Sequence, residues 1–178
     1  MYAPFQDRFE ALENQRKALF SMLEKEPQEL LEKQPPQGGW SVAQVLGHLV
    51  EAETASLKYL RTKLKYADTV GPSSFADRFR AGLLRTWLAL PLKAKAPAAL
   101  AEPAPDLSIT AIMADYTALR EQWEQELENI PAHLNKGQLF KHGIAGKMDL
   151  TEALAFFRGH FKHHEKQIDR ILSAVKAG

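Results

Sequence analysis

The sequence predicts an all-α protein, a four-helix bundle with a long crossover between helices two and three. Three observations predict it. Apolar residues recur at three- and four-residue spacing in four separate stretches. Two of those stretches open on capping boxes, Ser41 with Gln44 and Asp149 with Glu152. Proline and glycine mark the joins, which are short at the first and third and long in the middle, over residues 67–106. Four amphipathic helices bury their stripes best against one another, which makes a bundle. A chain of 178 residues can enclose that core in one domain, residues 1–178.

Helix one runs from Phe5 to about Lys25, with Phe5, Phe9, Leu12, Leu19, Met22 and Leu23 on one side and charge on the other. Pro27 trims it, or Gln28 to Lys33 carries it a further turn. Gln34-Pro-Pro-Gln-Gly-Gly39 is a loop. Helix two starts at Ser41 and continues to about Tyr66, with Val42, Val45, Leu49, Ala52, Ser56, Tyr59 and Leu60 inward. His48 falls near one edge of that stripe.

The crossover carries Gly71, Pro72, Pro91, Pro97, Pro103 and Pro105, yet Phe75 to Leu92 is rich in apolar residues. A short irregular helix is expected there, packed on the bundle or on a partner subunit; a lid and a membrane-surface segment are the alternatives. Helix three follows from Ser108, a candidate N-cap, to Asn129, with Ile109, Ile112, Met113, Tyr116, Leu119, Trp123 and Leu127 inward. Residues 131–148 form a second connection containing an apolar pair, Leu139 and Phe140. Helix four begins near Asp149 and reaches about Val175, with Leu150, Leu154, Phe157, Phe161, Ile168, Ile171, Leu172 and Val175 inward.

Composition removes several classes of function. A net charge of +1 without a block of one sign leaves no electrostatic footprint for nucleic acid. No stretch approaches the roughly 20 apolar residues of a membrane span. Met1 to Arg16 contains Asp7, Glu10 and Glu13 and no apolar signal region, so the cytoplasm is the expected compartment. Cysteine is absent, so a metal must be held by nitrogen and oxygen, and any thiol must arrive as a cosubstrate.

The chemistry concentrates in Leu154 to Gln167. His160 and His164 are four residues apart, so on a helix both rings reach one ion. Such a pair is half of a metal site, and His48 is the candidate third ligand. A lone histidine on an apolar face is more often bonded to a carbonyl, but two buried imidazoles at this spacing need something to use their nitrogens. His163 points about 100° away from His164 on a helix, and His133 and His142 read as surface loop residues. No Glu lies three residues before any histidine, which removes a di-iron bundle, and His-Glu-x-x-His is missing. Glu51 and Glu165, close to the histidines in sequence, are the acidic candidates for proton transfer or for orienting a ligand.

Trp40-Ser41 with His48-Leu49, then Gly146-x-Met148-x-Leu150, then His160-x-x-His163-His164-x-x-Gln167, resembles the DinB/YfiT-like superfamily. The three motifs fall in order over most of the chain. The resemblance implies an up-down-down-up bundle, often a homodimer, holding one divalent metal by His48, His160 and His164, with His163 a non-ligand. Where the family often has a His-Pro turn, His142 is followed by Gly143. Characterised members of the family are mainly transferases and isomerases using low-molecular-weight thiols, and many others are described as metal-dependent hydrolases.

The expected function is therefore metal-dependent activation of water or a low-molecular-weight thiol against a small electrophilic substrate. Zinc and nickel lead the candidate ions, and cobalt, copper or iron also suit nitrogen ligands. One rival is a non-catalytic dimeric bundle clipped together by the metal and acting as a binding module. A metal-free binding module is the other. Ligand count separates catalysis from a structural clip, because a closed four-ligand site leaves no position for substrate.

Overall fold

The computed structural model describes residues 1–72, 79, 82, 108–142 and 146–177. Among them four long helices make the bundle. Helix α1 is Ala3–Leu23, with Pro4 in its first turn where a missing N–H costs nothing. It packs chiefly against the last helix. The sequence left open whether α1 continues past Pro27; it does not. Pro27 is extended and starts a separate short helix, α2 (Gln28–Glu32), which buries Leu31.

Gly38 and Gly39, at φ of 80° and 109°, then turn the chain in a conformation that side chains resist. Helix α3 is Val42–Leu64. Both arms of its capping box form: the Gln44 amide donates to Ser41 Oγ at 3.2 Å, and the Ser41 amide donates to Gln44 Oε1 at 2.9 Å. Its buried face holds Val42, Val45, Leu46, Leu49, Leu57 and Leu60.

Helix α4 is Ile109–Glu128 and lies mainly along α3. Ser108 holds the N-cap position, but its side chain does not cap the helix. Glu32 of α2 does so instead, accepting the Ile109 amide at 3.0 Å and placing a carboxylate at the positive end of the helix.

Residues 131–148 are more than a connection. Phe140–His142 (β1) and Gly146–Met148 (β2) pair antiparallel, with Phe140 opposite Met148 and His142 opposite Gly146. Phe140 and Met148 point into the core, which fixes the register. Helix α5, Leu150–Ala177, opens on the second capping box, Asp149 with Glu152. All eight of its expected inward residues are buried.

The core runs between the helices through Phe5, Leu46, Leu49, Tyr116, Trp123, Phe157, Phe161 and Ile168. The helix expected within Phe75 to Leu92 lies outside the described residues, apart from Phe79 and Gly82. Among the described residues no helix is long and apolar enough to cross a membrane.

Candidate metal centre

Helices α3 and α5 meet, and three histidines converge where they do. His48 lies about two turns into α3, carried inward between Val45 and Leu49 by the same stripe that packs the helix. Its ring centroid is 5.5 Å from that of His160 and 4.9 Å from that of His164. His160 and His164 sit one turn apart on α5, with their rings at 89° and their Nε2 atoms 3.1 Å apart. One ligand atom from each of the three lies within 4.8 Å of the other two.

Burial decides the charge state. It lowers all three imidazoles below their ordinary pKa, His160 well below it and His164 to about 4. Repulsion from neighbouring imidazoles pushes His160 and His164 the same way, while Glu51 pulls His48 slightly back. At neutral pH each ring is uncharged and offers one nitrogen lone pair.

A proton shared between His160 and His164 would account for their 3.1 Å contact. It would not account for His48, whose Nδ1 is buried without a hydrogen-bond partner. Two nitrogens about 2.0–2.1 Å from one tetrahedral ion stand about 3.3 Å apart, close to the spacing of the α5 pair. Neutral imidazoles are a donor set that zinc, nickel, copper and iron accept. The three side chains therefore fit a divalent metal ion, and among the described residues no carboxylate joins their group.

The rings are held from behind. His164 Nδ1 lies 2.9 Å from Gln167 Oε1. His160 stacks on Phe156 at 5.6 Å and 12°, and Trp40 lies 5.4 Å from His48. Glu51 is exposed on α3. Glu165 is half-buried and accepts the Gln15 side-chain amide of α1 at 2.8 Å. His163, half-buried, has its ring 5.3 Å from that of His164 and is not one of the convergent group. His133 is exposed.

His142 is not a surface residue. It is half-buried on β1, with its ring 4.5 Å from Phe156, the ring on which His160 stacks. Strands of three residues carry too little alternation to be read from sequence, so the hairpin and the place of His142 in it were invisible there.

Comparison with known proteins agrees with this architecture. The family model of the DinB superfamily matches residues 11–168. Among solved structures, YfiT from Bacillus subtilis aligns with a TM-score of 0.57 and 20% identity, over 96% of this chain and 87% of its own. It is described as a probable metal-dependent hydrolase with an unusual four-helix bundle topology. No curated protein matches the chain. With its bundle in place and the family pattern spanning most of its length, this chain belongs to the DinB superfamily.

Proposed function

We propose that this protein is a metal-dependent enzyme acting on a small electrophilic molecule, with His48, His160 and His164 holding one divalent ion. The observation that carries this reading is the three-ligand count. Three neutral imidazoles converge and no fourth histidine or carboxylate joins them among the described residues, the pattern of a site with an open position. An ion held there supplies Lewis acidity that makes water or a thiol a nucleophile near neutral pH.

The protein's own side chains do the rest. Burial keeps the three imidazoles unprotonated and able to bind. Trp40 and Phe156 flank two of them with aromatic surface, which limits water and favours an apolar substrate body. Of the two acidic candidates, Glu165 is engaged by Gln15, which leaves Glu51 the freer to relay a proton. The absence of cysteine makes any thiol a cosubstrate of low molecular weight. The description of YfiT favours water over thiol as the nucleophile. Zinc or nickel is the expected ion, and a cytoplasmic homodimer the expected assembly.

A second reading has an observation of its own. The histidines come from two helices, so an ion would also clip α3 to α5 without any catalysis. Assays on a panel of activated esters, and of electrophiles offered with a low-molecular-weight thiol, separate the two. Turnover that disappears with a chelator and returns with zinc or nickel is the expected result. A metal-loaded protein that is stabilised by its ion yet turns over none of the panel contradicts the enzyme reading and leaves the clip.

A further inference from the structure

A neutral imidazole has one N–H and one lone pair, and the partner of one nitrogen decides which role falls to the other. His164 has such a partner. Gln167 lies three residues further along α5, one turn away, and its Oε1 is 2.9 Å from His164 Nδ1. A carbonyl oxygen only accepts, so Nδ1 must donate and Nε2 keeps the lone pair. That Nε2 is the atom 3.1 Å from His160 Nε2.

We propose that Gln167 is a positioning residue of this centre, whose side-chain carbonyl fixes His164 in the tautomer with Nε2 free to bind metal. The proposal rests on the metal reading of the three histidines for its purpose, but the hydrogen bond exists without the ion. Among the described residues no other side chain outside the triad hydrogen-bonds any of the three rings. His160 is held by its stack on Phe156, and His48 Nδ1 has no hydrogen-bond partner.

The device is local to one rigid element. Phe161 and Ile168, both fully buried, anchor α5 on either side of the His164–Gln167 turn. Two candidate ligands and the group that orients one of them therefore share a single helix, and α3 brings the third. The opposite orientation of the Gln167 amide would present its NH2 to Nδ1, move the ring proton to Nε2 and leave nothing there to bind an ion. The amide orientation thus selects between a competent and an incompetent ring. Hydrogen bonds to the far nitrogen of a ligating histidine also raise its basicity, and their loss weakens metal binding by about 10–100-fold.

The test compares the wild-type chain with two variants, Gln167→Leu and Gln167→Glu. Nitrogen-15 spectra of the metal-free protein at neutral pH report the His164 tautomer directly, and zinc titration reports affinity. The expected result is an Nδ1–H tautomer in wild type and in Gln167→Glu, and loss of that preference in Gln167→Leu. Zinc affinity should fall about 10–100-fold in Gln167→Leu and be kept or improved in Gln167→Glu, whose carboxylate is the stronger acceptor. A wild-type His164 protonated on Nε2 overturns the proposal. So does a folded Gln167→Leu protein that binds zinc as wild type does. A wild type that shows the Nδ1–H tautomer but takes up no metal establishes the hydrogen bond and overturns only the metal reading, so the two failures are distinct.

Discussion

Three imidazoles crowded together and withdrawn from water have a consequence that needs no metal to observe. His164 titrates at about 4 in the folded protein, against 6.5 when unperturbed, because burial and neighbouring imidazoles oppose its charge. Between those two values the unfolded chain binds more protons than the folded one, so stability rises with pH. Full stabilisation is present above about 6.5 and is lost as the pH falls through about 4. His160 shifts in the same direction and adds to the slope. Urea midpoints of metal-free wild type should therefore fall steeply over that interval, and those of a His160→Gln, His164→Gln double variant should fall less. Parallel curves would show that the histidines are not buried as described. The histidines themselves were legible in the sequence, because four-residue spacing on an amphipathic helix determines where two rings point. The environment of His142 was not, since it depends on a hairpin of two three-residue strands.

Helix–helix contacts hold a second polar group, away from the histidines. Glu53 of α3 is buried and accepts the Tyr116 hydroxyl at 2.6 Å and the Arg120 guanidinium at 2.9 Å, both from α4. Arg16 of α1 binds Glu13 at 2.7 Å and Thr117 of α4 at 2.9 Å. Burial still holds Glu53 above the usual carboxylate range, although Arg120 and the Tyr116 hydroxyl pull it down. A pair of this kind costs much to break and little to replace. Arg120→Met strands the carboxylate and is expected to destabilise the fold by about 3–5 kcal/mol. Adding Glu53→Gln removes that charge while keeping a partner for Tyr116, so the double variant should recover much of the loss. Urea denaturation of the two singles and the double checks this, and simple additivity would contradict it. At this scale the long helices were readable because each repeats its stripe over several turns. The break between α1 and α2 around Pro27 was half-readable, as proline limits the residue before it without saying whether the helix resumes. The cap on α4 was unreadable, because Glu32 reaches Ile109 only after folding brings α2 beside it.

In the molecule as a whole, the two helices that carry the histidines are also joined through the core, so the site inherits the rigidity of the bundle. His48 and the α5 pair are more than a hundred residues apart in sequence, and the packing of α3 on α5 brings them together. The sequence carried this at long range only through its pattern of stripes: each histidine sits at or beside a stripe, and stripes meet in a bundle. An ion that binds the folded chain alone must stabilise it, by about 2.7 kcal/mol at a hundred times its dissociation constant. The most direct test of the account is metal content per chain, measured on purified wild type and on His48→Ala, His160→Ala and His164→Ala after equilibration with zinc or nickel. The account predicts roughly one ion per chain in wild type, lost or greatly weakened in each folded variant. A wild type that takes up no ion, or a His48→Ala protein that holds it as tightly as wild type, would contradict it.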